Sequence, residues 1–270
     1  VGLCPVPVNF SVVGAYFLPQ KNSPLNMNKL NELKDVVTEN HPVRLVEDDI
    51  YSVLPETSSK HHYDRRATIY DLIVSTRLYN FVMWGSSPLE YKAFARQAIV
   101  SGFNGRFLDA ACGSMLFTAP TYLECNQQII AFDQSLAMLR RARKRLINLS
   151  GSMPEHVLLL QADLSDLPFR PAGFRTVLCM NVLHHFENAT ALLPNLKRLL
   201  TDDGHLYLTS LVSSNRFVGD RYLNSLYAAG EFVRPRSYLE FKEMLDRSLN
   251  QEVSYRVKGN MAFASTAGLP

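Results

Sequence analysis

From Arg106 onward, short continuous apolar runs alternate with longer stretches whose apolar positions recur every three or four residues. The runs are RFLDA, Gln128 to Phe132, VLLLQAD ending at Asp163, TVLCMN ending at Asn181, and HLYLTSLV. Unbroken apolar runs of this length suit strands covered on both faces, and the intervening stretches suit amphipathic helices. Strand and helix in turn predict an α/β fold with a mostly parallel sheet. A last helix is expected over Tyr238 to Leu249, followed by β-like runs at Glu252 to Val257 and Met261 to Ser265.

The first hundred residues read differently. Residues 1–60 hold short β-like runs at Val6 to Phe10, Val12 to Leu18, Val43 to Val46 and Ile50 to Leu54, with one helix from Met27 to Val37. Pro, Asn and Asp punctuate them, which predicts a small irregular module. Residues 61–102 carry helical spacing through Ile69, Leu72 and Ile73 and, after a break at Gly85 to Pro88, through Tyr91, Phe94, Ala95 and Ile99. Residues 103–270 then form the main domain.

Chemistry concentrates where the strands end. RFLDAACGSMLFT runs from a buried strand into Asp109 and then small residues, the pattern of a tight turn where backbone comes close to a ligand. Asp133 ends the second strand, 24 residues after Asp109, Asp163 ends the third, and Asn181, His184 and His185 follow the fourth. In an open parallel sheet these carboxyl ends line the crevice where ligands bind. A carboxylate at Asp133 can accept two hydrogen bonds from vicinal ribose hydroxyls. Ser135 is placed to cap the next helix.

The ordered set LDAACGS, AFDQSLAML, ADLSDLPF and FRTVLCMNVLHHF resembles the class I S-adenosylmethionine-dependent methyltransferases, within them the small-molecule and quinone C-methyltransferase group. The resemblance implies a Rossmann-like sheet with its last strand antiparallel, a helical lid over 61–102, and S-adenosyl-L-methionine as cofactor. It assigns Asp109 to the methionine amino group, and Ala111 and Gly113 to the turn that passes the cofactor. Asp133 and Gln134 fall at the ribose, Asp163 at the adenine amino group, Leu164 beside the ring, and Asn181 at the methionine portion. Tyr63, in YDRRA, matches the segment that contacts the methionine end. Tyr70, Tyr79 and Trp84 would line the lid, and Arg216, Arg221, Tyr222, Tyr227, Phe232 and Arg234 would be candidates for a substrate pocket. The chain departs from the pattern at Ala111, where glycine is usual, and at Met115, a flexible side chain where backbone nears the ligand. His184 and His185 are candidate bases, although transfer from a sulfonium relies mainly on alignment.

Composition narrows the partners. A formal charge of +3, 47% hydrophobic and 20% charged residues describe an ordinary globular chain. The basic run Arg140, Arg141, Arg143, Lys144 and Arg145 falls on a helix, where an exposed face is expected and no nucleic-acid partner is. Cys4, Cys112, Cys125 and Cys179 form no CxxC pair, which points to a reducing, cytoplasmic setting. No run reaches membrane-span length, and VGLCPVPVNF lacks the features of a signal peptide. LCPVP faintly resembles the zinc-ribbon-like module ahead of some bacterial methyltransferases, but Pro7 stands where the second cysteine belongs, so no metal is expected. The leading expectation is methyl transfer to the O or C atom of a small-molecule acceptor. A methyltransferase-fold binding or scaffold protein without transfer activity, for which Met115 and the degraded N-terminal module argue, and a cofactor-binding enzyme of a different reaction such as cyclisation remain alternatives. The sequence leaves the acceptor and the oligomeric state open.

Overall fold

The computed structural model describes residues 24–55 and 76–269. Cys4, the expected strands before residue 20, Tyr63, Tyr70 and the first of the two expected lid helices lie outside them. Nine strands form one sheet in the order β1-β2-β5-β4-β3-β6-β7-β9-β8. Its centre is β3 (Phe107–Ala110), β4 (Ile129–Asp133), β5 (Val157–Gln161), β6 (Phe174–Met180) and β7 (Leu200–Leu211), all parallel to their neighbours. The chain starts at β3, builds outward through β4 and β5, then returns to the other side of β3 with β6. That reversal opens a crevice at the carboxyl ends of β3 and β6. The antiparallel ending holds: β9 (Met261–Ser265) runs against β7, and β8 (Ser254–Lys258) against β9.

Because the central strands are buried on both faces, alternate residues serve different layers. In β3, Leu108 and Ala110 join one core with Phe132, Leu160, Phe169 and the helices α1 (Pro24–Val36), α5 (Ala189–Arg198) and α7 (Tyr238–Leu249). Phe107 joins the opposite core with Tyr91, Phe94, Tyr122, Leu139 and Leu146. Those residues come from α2 (Pro88–Ser101), α3 (Ala119–Leu123) and α4 (Leu136–Ser150). The period of two therefore sends the Asp109 carboxyl toward α3.

The described part of the N-terminal segment joins the main sheet instead of forming a module of its own. β1 (Arg44–Glu47) and β2 (Ile50–Ser52) form a hairpin, and β2 pairs in parallel with β5 through Ile50 and Leu159. The reason is the outer edge of β5, whose five residues are all buried and would otherwise expose a template for aggregation. Ser52 donates to Gln161 Oε1 at 3.0 Å across this junction. The basic run on α4 is likewise engaged internally: Arg140 pairs with Glu47 and Arg143 with Asp49.

The expected helix through Tyr91 and Ile99 is α2, but it packs as a sheet layer and not as a lid, with Tyr91, Phe94, Ala95 and Ala98 buried. Ser87 caps it, accepting from the Leu89 amide at 3.2 Å. Before it, a short α-turn at Arg77–Tyr79 passes into a π-helical turn at Asn80–Trp84. Trp84 and Tyr79 pack on Tyr222 of α6 (Phe217–Ala228), with ring centroids 5.3 and 6.4 Å away.

The β8–β9 turn docks on that segment, the Asn260 amide donating to the Trp84 carbonyl at 2.7 Å. Gly259, at φ +60°, sits so close that a Cβ would stand 2.0 Å from the same oxygen. Gly259→Ala is therefore expected to cost more than about 2 kcal/mol, left-handed strain adding to the clash. Gly151→Ala, at φ +83° with nothing within 4 Å of its Cβ, costs only the strain, about 1 kcal/mol. Urea denaturation of the two variants checks the difference.

Candidate active site

The crevice at the sheet reversal holds a cavity of about 510 Å³. Asp109, Ala111 and Gly113 line it from the β3 turn, Asp133 and Gln134 from the end of β4, Asp163 and Leu164 from β5, and Asn181 and His185 from β6. Strand register explains the convergence: Ala110 lies beside Phe132 and Cys179, and Asp133 beside Gln161, so the four strands end level. Every expected cofactor residue among the described ones meets here. Tyr63 falls outside them.

The β3 turn needs three left-handed residues, Ala111 at φ +59°, Gly113 at +55° and Met115 at +54°. Only glycine adopts this conformation without strain. The turn is held in place from β4, where the Asp133 carboxylate accepts the Gly113 amide at 2.8 Å and the Ser135 amide at 2.9 Å. From α4, Arg145 donates to the Ser114 carbonyl. At Gly113 nothing lies within 4 Å of where a Cβ would stand, so the missing side chain leaves room in the cavity. Met115 does not intrude as the sequence suggested. Its side chain is 1% exposed and packs in the core with Tyr91, Ala119 and Tyr122, away from the cavity.

The carboxylates differ in setting. Asp109 is 2% exposed and accepts from the Tyr122 hydroxyl at 2.7 Å. Burial pushes its pKa up to about 7, the Tyr122 hydrogen bond pulling down and the Asp133 charge pushing further up. Asp163 accepts from the Ser165 amide at 2.8 Å and from Gln134 Nε2 at 3.1 Å, which ties it to the end of β4. Ser135 caps α4 as expected, accepting from the Met138 amide at 3.2 Å. Asn181, at φ +56°, is pinned by Thr209, whose hydroxyl accepts the Asn181 amide at 3.0 Å and donates to its Oδ1 at 2.8 Å.

The two histidines separate. His184 is 7% exposed, does not line the cavity, and accepts the Leu211 amide on Nδ1 at 3.4 Å. Burial, with the charges of His185 and Arg236 beside it, keeps its pKa well below the usual range, so it is a neutral structural ring. His185 does line the cavity, and its Nδ1 donates to the Glu231 carbonyl at 3.3 Å, leaving the basic lone pair on Nε2. Burial lowers its pKa to about 4. Phe232 packs edge-on to both rings, at 4.5 and 4.8 Å.

The wall after β6 is clamped by Arg236. Its guanidinium donates to the carbonyls of Leu183 at 3.2 Å, Phe186 at 2.6 Å and Glu187 at 2.7 Å, while the Val233 amide donates to the His184 carbonyl at 3.2 Å. Sequence reasoning missed Glu231 and Phe186 of this wall because their position depends on a loop-to-loop contact with no local signal. Of the expected pocket candidates, Arg216 instead binds the Met83 carbonyl and Asn260, and Arg234 pairs with Glu240. Arg221, Tyr222, Tyr227 and Phe232 also fall outside the lining.

Comparison with known proteins agrees with this geometry. Residues 108–208 match a family model described as a methyltransferase domain. The fold is that of the class I S-adenosylmethionine-dependent methyltransferases. The chain is 28% identical to an uncharacterized chloroplastic methyltransferase of Arabidopsis thaliana, over 54% of this chain and 42% of that protein. It is 33% identical to a carboxy-S-adenosyl-L-methionine synthase of Pseudomonas entomophila, over 47% of this chain and 51% of the other. The chain thus matches about half the length of these curated relatives. In structure it is similar to phosphoethanolamine N-methyltransferase 2 of Haemonchus contortus in complex with S-adenosylhomocysteine. The TM-score is 0.56 at 16% identity, covering 72% of this chain and 44% of that one.

The depressed pKa of His185 carries a stability consequence. Between the unfolded value near 6.5 and the folded value near 4, the unfolded chain binds the extra proton, so stability from this group is full above 6.5 and lost as pH falls toward 4. Relative to His185→Gln, the wild type is expected to lose on the order of 2 kcal/mol across that window, discounted for partial solvent contact. Denaturant midpoints of both proteins at pH 4, 5, 6 and 7 check it.

Proposed function

We propose that this chain binds S-adenosyl-L-methionine in the crevice and transfers its methyl group to the O or C atom of a small-molecule acceptor. The observation that carries the reading is the convergence of Asp109, Asp133 and Asp163, from the ends of three neighbouring strands, on one cavity beside the open space at Gly113. The cofactor supplies an activated methyl group on a positive sulfonium. Asp109 holds the ammonium, Asp133 the ribose hydroxyls, and Asp163 the adenine amino group, with Ala162 and Leu164 flanking the ring. Tyr63 is proposed to contact the methionine end from its own segment. Asp133 also accepts the Gly113 and Ser135 amides, which hold its carboxylate in place at the end of β4.

Beyond Asn181 the wall is formed by Met180, Phe186, His185 and Glu231, an apolar surface with a few polar groups that suits a small organic acceptor. With a pKa about 4, His185 is a weak base at neutral pH, so rate enhancement rests on alignment and exclusion of water. The described cysteines are free, and no described helix is long and apolar enough to cross a membrane; both fit the proposed reducing, cytoplasmic setting. With Met115 packed in the core, the main ground for a scaffold without activity falls away.

Calorimetric titration with S-adenosylmethionine and S-adenosylhomocysteine tests the reading. Both are expected to bind, and Asp133→Ala to weaken them by about 10- to 100-fold, the loss of charge-assisted hydrogen bonds. Well-folded wild type that binds neither ligand would overturn the cofactor assignment.

A further inference from the structure

Asp109 lines the cavity with Tyr122 behind it, and only Asp109 belongs to the cofactor motif. Tyr122 is fully buried on α3, its ring edge-on to Phe107 at 5.7 Å, and its carbonyl accepts from His156 Nε2 at 2.8 Å. Phe107 packs against the ring and His156 ties down the backbone of Tyr122, whose hydroxyl points at Asp109 Oδ2. Nothing about packing requires a hydroxyl here; phenylalanine would fill the same space. We propose that Tyr122 is a positioning residue for cofactor binding: its hydroxyl aims the Asp109 carboxylate at the ammonium of the bound ligand. This inference rests on the cofactor reading above.

The electrostatics around Asp109 give the hydroxyl its importance. Among the described residues, the groups that face the carboxyl are Tyr122 from α3, Cys112 from the turn, Asp133 from β4 and Cys179 from β6. None is a cation, and both thiols are held neutral by burial. Burial and Asp133 oppose ionisation, so the Tyr122 hydrogen bond is the contact that favours it. A carboxyl that titrates near 7 is half protonated at neutral pH. Its protonated form would present no charge to an ammonium, so affinity should rise with pH through that region. Removing the hydroxyl raises the Asp109 pKa and moves the rise to higher pH.

The test compares S-adenosylhomocysteine with 5′-methylthioadenosine, which lacks the amino-acid portion. Dissociation constants are measured between pH 5.5 and 7.5, below the usual α-amino range near 7.7–8.0. In the wild type, S-adenosylhomocysteine affinity is expected to rise with pH and methylthioadenosine affinity to stay level. Tyr122→Phe is expected to displace the first curve to higher pH, weakening binding at pH 6 by about tenfold for each pH unit that its midpoint moves, and to leave methylthioadenosine unchanged. In Asp109→Asn the dependence should vanish, and adding Tyr122→Phe should change nothing further.

A uniform loss of both ligands at every pH would show a merely structural hydroxyl and overturn the inference, as would an unmoved midpoint. Carbon-13 NMR of wild type labelled at Tyr122 Cζ and the Asp109 carboxyl supplies a reading independent of the variant's folding. Both signals should inflect at one pH and move together when S-adenosylhomocysteine is added; separate inflections would overturn the pairing. Absence of S-adenosylhomocysteine binding in the wild type at any pH would instead overturn the cofactor reading itself.

Discussion

The whole site depends on one carboxylate. Asp133 accepts amides from both sides of the crevice, Gly113 on the β3 turn and Ser135 at the start of α4. Through it, the end of β4 fixes a turn that must otherwise sustain three left-handed residues, two of them not glycine. Each non-glycine residue in that conformation costs about 1–2 kcal/mol. The cost is met by anchoring from Asp133 and Arg145 and by the burial of Met115, whose side chain secures the far end of the turn in the core. The same carboxylate is the proposed ribose ligand, so the fold and the binding site share a single group.

Much of this was legible in the chain because it is local. A strand that ends in Asp and runs into small residues announces its turn, and continuous apolar runs announce strands buried on both faces. That is why Asp109, Gly113, Asp133, Asp163 and Asn181 could be placed together from the chain alone. Ser135 as a cap was equally plain, since capping is read within four residues.

What escaped was decided by contacts between distant segments. Met115 looked like an intrusion because the sequence shows that a side chain exists but not which way a left-handed residue sends it. His184 and His185 look alike in LHHF, yet a short 3₁₀ turn at Leu183–His185 turns one ring toward Leu211 and the other to the cavity. Residues 44–52 read as an irregular appendage because nothing in four- and three-residue strands says which edge they will cover. Glu231 and Phe186 entered the wall through a pairing of two loops that lie far apart in sequence.

The manner in which Arg236 holds that wall has an evolutionary consequence. Its guanidinium grips three backbone carbonyls of the segment after β6, and backbone carbonyls are common to all residue types. The side chains at Phe186 and its neighbours can therefore drift without loosening the loop that carries them. A cavity wall built this way can change its side chains by single substitutions while the path of its backbone stays fixed.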